Sequence, residues 1–567
     1  MITKVLMSPC QSACPAHTDV PKYIRLVLEG KLYEAWKVNR LANVFPSICG
    51  RVCVHDCEKA CKRQFIKPRE GEALSRAPVA IRGLKRFITD NLPLDYIERF
   101  LEETLPIKKI NKSVAVIGSG PAGLAVANDL ILSGCEVVVF EALPEPGGML
   151  RVGIPSYRLP TEVLRTEIEL LKKLGIEIRL NSALGREVFL DGLRKDFDAV
   201  FIAIGAHMPK QLKIKGEDLK GVFPGIVFLR KLSLGEPVDV CGKSVAVIGG
   251  GFTAADAARS ALRLGAKVFI LYRRGKEEIP MDELEQIALL KENIPVYCLV
   301  SPIEIISRDG KRVARLKCVK MELKEPGASP SQEGRRQLPM SIEGSEFEID
   351  ADMVIPAVAQ EPDLSIFSKD FFNNIKGYRT GIEGVFAGGD FLTGTTNVIE
   401  VIAQAHEVSL EILRFLGQET KLPDPPKSLR RIDQSPWYSD DPEKLHREKV
   451  YGGWLISLKD GFREVEEGMS SELAAYEASR CLQCDFFVDI NKDTCHRCGR
   501  CVESCPQEAL EMAYQEAIPG KPGTWFSHGK WFTDEASEVL KNPELCTQCG
   551  TCLRACPHQN ISFVSSV

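Results

Sequence analysis

Two stretches of the chain repeat one pattern, "SVAVIGSGPAGLAVANDLILSGCEVVVFEA" (Ser113–Ala142) and "SVAVIGGGFTAADAARSALRLGAKVFILYRR" (Ser244–Arg274). They align without a gap at an offset of 131 residues, the separation of positions 113 and 244. Each contains an apolar β-branched run, a glycine turn, a helical stretch and a second apolar run, which is the order of a βαβ unit. The repeat predicts two Rossmann-like nucleotide-binding domains in a multidomain α/β protein.

The glycine turns are suited to the pyrophosphate of a dinucleotide. Glycine lets the backbone turn tightly and approach the pyrophosphate at the N-terminus of the following helix. A lone G-x-G-x-x-G is weak evidence, but both turns here follow a strand and open a helix, as the motif requires. The predicted contacts are Gly118, Gly120, Pro121, Ala122 and Gly123 in the first unit and Gly249, Gly250, Gly251, Phe252, Thr253 and Ala254 in the second.

The two units differ at the end of the second strand. Glu141 ends the first unit, where a carboxylate can accept hydrogen bonds from ribose hydroxyls. Tyr272 takes the equivalent position in the second unit and is followed by Arg273 and Arg274. Loss of the acid and gain of two guanidinium groups suits a 2′-phosphate, so we expect NADP rather than NAD there. The alternative is that the arginines are solvated or make general phosphate contacts.

A later stretch, "GVFAGGDFLTGTTNVIEVIAQAHEVSLEI" (Gly384–Ile412), predicts a strand, a Gly-Gly-Asp turn and a long helix from near Thr395. Asp390, after Gly389, can bond the ribityl or phosphate end of a flavin. The helix N-terminus, at Thr396, Asn397 and Val398, can place its positive dipole end near the isoalloxazine carbonyls. We therefore expect one FAD domain, residues 112–239 and 352–416, interrupted by an NAD(P)H domain at 240–351.

Composition excludes several classes of partner. The 567 residues suggest three to five domains. A formal charge of −4 offers no surface for nucleic acid. No apolar run approaches the roughly 18 residues that span a bilayer, and the N-terminus lacks the apolar core of a signal peptide. We expect a cytoplasmic protein with no membrane span.

The C-terminus carries two copies of C-x2-C-x2-C-x3-C-P, "CHRCGRCVESCP" and "CTQCGTCLRACP". This spacing sends three thiolates to one cubane cluster and the fourth to its neighbour, as in two-cluster bacterial ferredoxins. The predicted ligand sets are Cys495, Cys498, Cys501 and Cys556 for one [4Fe-4S] cluster, and Cys546, Cys549, Cys552 and Cys505 for the other. A structural zinc site is the weaker alternative, because zinc does not need this spacing twice over.

The chain has twenty cysteines, which in a reducing compartment indicate metal ligands rather than disulfides. Four are scattered singly and are expected to be small packing residues: Cys135, Cys241, Cys298 and Cys318. The remaining sixteen match four [4Fe-4S] clusters.

Residues 1–420 resemble the small subunit of NADPH-dependent glutamate synthase. They equally resemble the N-terminal part of dihydropyrimidine dehydrogenase and the large subunit of NADH-dependent ferredoxin:NADP oxidoreductase. The motifs that carry the resemblance are "ACPAHTDVPKYI", "CGRVCVHDCEKAC", "GSGPAGL", "PEPGGMLRVGIPSYRLP", "GGGFTAADAARSALRLGA", "YRRGKEEIPM" and "FAGGD". The resemblance implies FAD, a nicotinamide nucleotide and two N-terminal [4Fe-4S] clusters. It also implies that the flavin is bordered by Gly147, Gly148, Met149, Leu150 and Ile154.

The resemblance also suggests ligands for the first N-terminal cluster. The family usually opens with an R-C-L-x-C pair ahead of its first C-x3-C-P, whereas here the pair follows the FAD domain as "SRCLQC". We expect Cys481 and Cys484 to fold back and complete a cluster with Cys10 and Cys61. The alternatives are a zinc site shared with a partner chain or two idle thiols.

The second N-terminal cluster departs from the family pattern. Cys14, Cys53 and Cys57 supply three ligands, but the position where the family often has Glu or Gln is Lys85, whose ammonium cannot ligate iron. Cys49 is the nearest unassigned thiol and is the expected fourth ligand. The alternative is that Cys49 is a buried spectator and the fourth ligand lies elsewhere.

The expected function is electron transfer between NAD(P)H, FAD and a chain of [4Fe-4S] clusters, to or from ferredoxin or a partner oxidoreductase in a hetero-oligomeric complex. Flavin-based electron bifurcation is one form that this function could take. The alternatives are the small subunit of a glutamate synthase-type enzyme and a non-catalytic module that holds clusters. No residue stands out as binding a carbon substrate, and His406 is expected to be a packing or surface residue. The expected domains are completed by a helical cluster domain at 1–111, a tethering linker at 417–476 and a cluster-completing segment with the ferredoxin domain at 477–567.

Overall fold

A computed structural model describes residues 7–65, 77–324, 337–367, 371, 375–418, 429–432 and 461–566. The last stretch has gaps at 483, 485, 491–493, 499, 506–509, 517–523, 528–529, 542–551, 553–554 and 558–560.

The N-terminal domain consists of short helices separated by cysteine-bearing turns. Proline stands in the first turn of three of these helices, where its fixed φ suits helix entry and its missing N–H is not needed. Its helices are Pro9–Ala13, Val20–Leu28, Leu32–Ala42, Pro46–Val52, Asp56–Lys59, Ile81–Asp90 and Tyr96–Thr104, with a 3₁₀ turn at Lys62–Phe65. The expected helical domain is therefore present.

The first Rossmann-like domain is built on five parallel strands. Their order across the sheet is Val385–Ala387, Ala199–Ile202, Ser113–Ile117, Glu136–Phe140 and Glu177–Arg179. The edge strand Val385–Ala387 comes from the second half of the split domain, so that later stretch joins this sheet as expected. The associated helices are Pro121–Leu132, Met149–Val152, Thr161–Lys173, Leu190–Asp196, Asp390–Thr393 and Val398–Phe415.

The second Rossmann-like domain has four parallel strands, in the order Met353–Pro356, Ser244–Ile248, Lys267–Tyr272 and Val296–Cys298. The expected boundary at residue 352 is wrong, because Met353–Pro356 pairs with Ser244–Ile248 in this sheet rather than in the flavin sheet. An apolar run on its own does not reveal which of two neighbouring parallel sheets it joins. The helices are Gly225–Ser233, Phe252–Arg263 and Glu283–Lys291, with a 3₁₀ turn at Lys276–Glu278.

An antiparallel sheet, which the sequence did not suggest, follows within the second domain. Its central strand is Val313–Lys324, paired with Val300–Ser307, Leu338–Ser341 and Phe347–Asp350. A two-stranded ribbon, Met208–Pro209 with Gln360–Glu361, forms where the chain passes between the two Rossmann-like domains.

The end of the expected linker is not an extended tether. Residues 461–469, here called the docking segment, pack against the rest of the molecule, and the helix Ser471–Ser479 begins before the expected boundary at 477. The Val465 backbone amide donates to the Tyr157 carbonyl oxygen over 2.9 Å, and the Phe462 ring lies 6.0 Å from the Tyr157 ring. Proline and charge content suggested solvent exposure, but Glu464 and Glu466 of this segment pair with the buried arginines of the helical domain. Residues 419–428 and 433–460 of the linker lie outside the described part.

The C-terminal region contains two small antiparallel sheets and the short helix Arg500–Glu503. Their strands are Leu429–Ile432, Phe486–Ile490 and Ile561–Ser566 in one, and Leu510–Glu516, Thr524–Ser527 and Lys530–Lys541 in the other. Among the described helices, none is both long and apolar enough to span a bilayer.

One hydrophobic core joins the N-terminal helices to the flavin domain. It contains Trp36 and Ile48 of the helical domain, Leu124 of the flavin domain and Ala474 of the helix Ser471–Ser479. Because burial of apolar surface is the main stabilising term, these parts behave as one packed unit.

Candidate cofactor and cluster sites

The first glycine turn leaves an open space above one of its glycines. A Cβ on Gly118 would lie 2.3 Å from the Ala203 carbonyl oxygen, and a Cβ on Gly123 would lie 1.9 Å from the Gly118 carbonyl oxygen. A Cβ on Gly120 would meet nothing within 4 Å. Gly118 and Gly123 are therefore required by backbone packing, whereas Gly120 faces free volume at the start of the helix Pro121–Leu132, where a pyrophosphate fits.

Glu141 is buried beside this turn and is held by three donors. The Ser119 amide and hydroxyl donate to Oε2 over 2.8 and 2.5 Å, and the Leu143 amide donates to Oε1 over 2.8 Å. Ser119 Oγ also accepts from the Gly147 amide over 3.0 Å. A carboxylate has about four acceptor positions, so one remains for a ribose hydroxyl. The sequence identified Glu141 but missed Ser119, which positions it.

The loop after Glu141 closes over the glycine turn. A Cβ on Gly148, whose φ is +52°, would lie 2.7 Å from Gly120 Cα. Leu150 and Ile154 line an adjacent cavity of about 180 Å³, while Met149 starts the short helix over Gly153. The Gly-Gly-Met loop thus packs against the backbone of Gly120.

The Gly-Gly-Asp turn also meets the first glycine turn. A Cβ on Gly389 would lie 2.7 Å from Ala122 Cβ. Asp390 Oδ1 accepts from both the Thr396 amide and hydroxyl at 3.0 Å, so it holds the turn before the long helix. That helix begins at Val398 rather than near Thr395, with Asn397 as its cap. Burial raises the pKa of Asp390, an effect that exceeds the lowering by Thr396.

In the second glycine turn, too, two glycines are required by close packing and one faces free volume. Gly249, at φ +145°, lies against the Ala357 carbonyl oxygen, and Gly250 lies against the Tyr272 ring. Above Gly251, the nearest atom to an added Cβ is 4.0 Å away, so this turn also opens onto free volume. Arg273 is exposed, and Arg274 is half-buried with its Nε lacking a hydrogen-bond partner among the described residues. The helix begins at Phe252, and Thr253 and Ala254 lie in its first turn, as the motif predicts.

Four thiols from opposite ends of the chain line one cavity. They are Cys10, Cys61, Cys481 and Cys484, and apolar side chains such as Val20 and Ile81 complete the wall. Burial raises the pKa of Cys10 to about 12, so a thiolate there requires a cationic partner such as iron. The donor set fits a [4Fe-4S] cluster, which takes four cysteine thiolates.

The helix Ser471–Ser479 places the C-terminal pair at this cavity. Glu477 Oε1 accepts from the Ala80 amide over 2.7 Å and from Arg480 over 2.6 Å, while Arg480 also donates to the Ala77 carbonyl oxygen. These bonds fix Cys481 beside the segment that precedes the helix Ile81–Asp90.

A second set of thiols lies around Lys85. The ammonium interacts electrostatically with Cys49, Cys53, Cys14 and Cys57, which outweigh the effect of burial and raise the Lys85 pKa. Cys49 is buried, and its interaction with Cys53 lowers the pKa of Cys53 to about 6. The four cysteines expected for the second cluster are thus neighbours, and the donor set again fits.

Tyr23 lies between the two N-terminal thiol sets. Its buried hydroxyl has a raised pKa because of burial and because it faces Cys57 and Cys14 of one set and Cys10 of the other. The sets therefore share a common neighbour.

One of the two C-terminal thiol sets is described in full. Cys495, Cys498, Cys501 and Cys556 line a single cavity with Ile490 and Ile561. Of the other expected set, Cys505 packs beside the buried Cys552 in the same small core, while Cys546 and Cys549 lie outside the described residues. Within the described part, no three His, Cys, Asp or Glu side chains are close enough to hold a single metal ion.

Three of the four scattered cysteines are packing residues, as expected. Cys135 and Cys318 are buried and Cys298 is half-buried, but Cys241 is exposed.

Two charged networks at the domain boundary were not visible in the sequence. Arg158, which lies between the Gly-Gly-Met loop and the helix Thr161–Lys173, pairs with Asp256 and Glu285 of the nucleotide domain at 2.9 Å. Arg230 lies near Glu141 with its Nε buried and unpartnered within the described residues, and its Nη2 lies 2.8 Å from His207 Nδ1. Pairing between distant segments leaves no local sequence signal.

His406 joins three elements. Its Nδ1 lies 2.7 Å from Asp129 Oδ2, and its Nε2 lies 3.0 Å from the Ala42 carbonyl oxygen. Both partners accept, so both ring nitrogens must donate and the ring is an imidazolium. Burial lowers its pKa, but the hydrogen bond and charge of Asp129 outweigh burial and raise it. His406 packs between helices, as one of the two expected readings had it, but its positive charge was not expected.

Three family models match separate parts of the chain. The pyridine nucleotide-disulphide oxidoreductase model matches residues 112–408. The model of dihydropyrimidine dehydrogenase domain II, 4Fe-4S cluster, matches residues 4–94, and the 4Fe-4S dicluster domain matches residues 494–560.

Three curated relatives are similar over most of the chain. The chain is 38% identical to the NADP(+)-dependent formate dehydrogenase subunit beta of Moorella thermoacetica, over 84% of this chain and 70% of that one. It is 35% identical to the NADPH-Fe(3+) oxidoreductase subunit beta of Geobacter sulfurreducens, over 84% and 75%. It is 33% identical to the glutamate synthase [NADPH] small chain of Escherichia coli, over 72% and 88%.

Proposed function

The chain belongs to the pyridine nucleotide-disulphide oxidoreductases, in the glutamate synthase small chain-like form with iron–sulfur domains at both ends, and from this premise we propose that it is the NADPH-reacting subunit of a larger redox complex. FAD, when bound, would supply hydride exchange with NADPH and release of electrons one at a time, and [4Fe-4S] clusters would supply single-electron transfer. The chain's own residues hold these groups in order.

In the flavin domain, the proposed contacts act on different parts of FAD. The free volume above Gly120 receives the pyrophosphate, and Glu141, fixed by Ser119, receives a ribose hydroxyl. The Gly147–Ile154 loop and the cap of the helix Val398–Phe415 border the ring system. In the second domain, Gly251 faces the nucleotide pyrophosphate, and Arg273 and Arg274 receive the 2′-phosphate of NADPH.

The observation that carries the proposal is the cavity shared by Cys10, Cys61, Cys481 and Cys484. A cluster there would be held jointly by the N-terminal helices and by the segment that leads into the C-terminal dicluster domain. Phe486–Ile490, the strand that follows Cys484, ends at Ile490, a wall residue of the next thiol cavity. Six residues of extended chain span at most about 20 Å, so the two cavities are neighbours. The arrangement supports an electron path from the flavin side to the dicluster domain.

The proposal predicts a specific result for the double variant Cys481→Ser/Cys484→Ser. Wild-type protein purified without oxygen should contain close to sixteen irons per FAD, four for each cluster. The variant should lose about four irons and one cluster signal in electron paramagnetic resonance spectra, while NADPH still bleaches its flavin. As a control, Cys241→Ser should keep every signal, because Cys241 is exposed and outside the thiol sets. Retention of all clusters in the double variant would contradict the ligand assignment.

The partner is proposed to be ferredoxin or another redox subunit. Two of the relatives are named as beta subunits of NADP- or NADPH-dependent oxidoreductases, which supports assembly with a further subunit. NADPH-dependent reduction of added ferredoxin by the isolated chain would identify ferredoxin as acceptor. Reduction only when a co-purifying subunit is present would instead place the acceptor site there.

A small subunit of a glutamate synthase-type enzyme is the second candidate. It is favoured by the alignment over 88% of the E. coli small chain. That alignment covers 72% of this chain, so more than a quarter of the chain has no counterpart in the small chain, which disfavours this candidate. Glutamine-dependent glutamate formation by the purified native complex would decide for this candidate.

A further inference from the structure

The two N-terminal thiol sets differ in the charge that surrounds them. Lys85 and Cys49 lie on the helices Ile81–Asp90 and Pro46–Val52, which meet closely enough that a Cβ on Gly50 would be 2.9 Å from Arg86 Cα. Lys85 is 5% exposed. In the described structure its ammonium has no carboxylate within ion-pair distance, and its electrostatic neighbours are the four thiols.

A second donor faces the same thiols. Asn43 is fully buried, and its Nδ2 has no hydrogen-bond partner among the residues described. Its Oδ1 accepts from the Phe45 amide over 3.1 Å, which fixes the orientation of the side chain. Asn43 also lowers the pKa of Cys49, so its side chain lies beside that thiol. A buried, unsatisfied donor is costly unless a group absent from the protein chain accepts from it.

Among the described residues, the other thiol set has no buried cation whose charge is left without a carboxylate partner. Arg480, near Cys61, is paired with Glu477 at 2.6 Å and bonded to a backbone carbonyl, so its charge is offset. Lys62 and Arg63 line that cavity but are only half-buried, and water screens their charge. The buried Glu58 acts on both sets, because it raises the pKa of Cys57 in one and of Cys61 in the other. Within the described part of the chain, a buried cation without an ion-pair partner is therefore found beside the set around Lys85 and not beside the other.

We propose that Lys85 and Asn43 together raise the reduction potential of the cluster held by Cys14, Cys49, Cys53 and Cys57 above that of the cluster held by Cys10, Cys61, Cys481 and Cys484. The inference rests on the proposed function and adds an order to its electron path. When one electron enters the cluster, its net charge becomes more negative by one and no proton or bond needs to move. A fixed ammonium in a medium of low dielectric constant stabilises that extra charge, and an N–H donor to sulfur acts in the same direction.

Lys85 would thus act on the reduction potential of the cluster through its charge and would not be an iron ligand. A cluster of higher potential at the Lys85 set would be reduced first and would retain its electron more strongly. A cluster of lower potential at the other set, two of whose ligands come from the C-terminal segment, would be the stronger donor toward the dicluster domain.

The test is a redox titration of the anaerobic holoprotein followed by electron paramagnetic resonance. In Lys85→Met, one of the cluster components should move to a more negative midpoint potential while the others stay unchanged. Lys85→Arg keeps the charge and should restore the wild-type midpoint. Lys59→Met is the matched control: Lys59 lies between Cys57 and Cys61 in the sequence but is exposed, so its removal should leave all midpoints unchanged.

Iron content separates the possible failures. If Lys85→Met retains all its iron and no midpoint moves, the proposal is overturned, although the ligand assignment stands. If Lys85→Met loses a cluster, Asn43→Leu decides: a negative shift of one component supports the proposal and unchanged midpoints overturn it. A wild-type protein with only about half of the expected sixteen irons would overturn the proposed function itself.

Discussion

Two glycines of the same turn should respond differently to an added methyl group. Gly120 has φ −68° and free space where a Cβ would stand, so Gly120→Ala should fold with a thermal midpoint close to wild type. Its methyl group would occupy the proposed pyrophosphate position, and overpacking of about 1–3 kcal/mol corresponds to roughly tenfold to hundredfold weaker FAD binding. Flavin absorbance per protein and reconstitution with FAD measure this.

Gly123→Ala is the matched comparison. Its Cβ would meet the Gly118 carbonyl oxygen at 1.9 Å, which is backbone that cannot move aside. This variant should therefore lose folded protein as well as flavin. If Gly120→Ala bound FAD as wild type does, the pyrophosphate would not lie above Gly120.

The arginines after Tyr272 should determine the choice between NADPH and NADH. Hydrogen bonds to charged groups contribute about 1.5–3 kcal/mol, so Arg273→Ala/Arg274→Ala should raise KM for NADPH at least about tenfold. KM for NADH should change little, because NADH has no 2′-phosphate. Steady-state flavin reduction with each nucleotide gives both values.

Arg315→Ala provides the control for that experiment. Arg315 is an exposed arginine of the same domain, paired with Glu348 and Asp350, and its loss should leave both KM values unchanged. An equal loss for NADPH and NADH in the double variant would show that the arginines serve other phosphates.

At the scale of elements, His406 makes the contact between three helices depend on pH. It lies on the helix Val398–Phe415 and bonds Asp129, on the helix after the glycine turn, and Ala42, at the end of the helix Leu32–Ala42. Its folded-state pKa is raised above the ordinary value of about 6.5. Its contribution, about 1 kcal/mol, is therefore complete below about pH 6.5 and is lost as pH rises through the folded pKa.

Thermal midpoints of wild type and His406→Leu across this pH window test the linkage. The difference between the two proteins should be largest on the acidic side and shrink as pH rises. Asp129→Asn should also flatten the profile, because it removes the carboxylate that raises the His406 pKa. Parallel profiles for wild type and His406→Leu would contradict the imidazolium assignment.

Elements with strong local signals were predictable, and those fixed by distant contacts were not. Both βαβ units follow from periodicity and turn residues. The strand Met353–Pro356 has only an apolar run, which either sheet accepts, so its placement was wrong. The docking segment is rich in Glu and suggests exposure until Arg51, Arg82 and Arg86 are found opposite it.

The candidate site shows the same division. Glycines and cysteines carry conformational or ligand chemistry in their spacing, so they could be found from the sequence. Ser119, Arg230 and Asn43 act through contacts between residues that are far apart or through burial, and spacing reveals neither.

At the scale of the whole molecule, the docking segment fastens three domains together. Glu464 pairs with Arg51 at 2.8 Å and Arg86 at 3.0 Å, and Glu466 pairs with Arg82 at 3.0 Å, all in the helical domain. The Gly461 carbonyl oxygen accepts from Arg263 of the nucleotide domain, and the Phe462 carbonyl oxygen accepts from Ser156 of the flavin domain. The segment therefore limits rotation of the nucleotide domain relative to the flavin.

The cavity lined by Cys10, Cys61, Cys481 and Cys484 also determines when its cluster can be assembled during protein synthesis. Cys61 leaves the ribosome 420 residues before Cys481, the separation of the two positions in the chain. At roughly 5–20 residues per second, that interval is about 20–80 s. On the proposed ligand set, the first two thiols wait through it for their partners, while the second N-terminal set is complete once residue 57 has emerged. Insertion of the jointly held cluster therefore reports that synthesis has passed the flavin and nucleotide domains, and a prematurely terminated chain cannot acquire it.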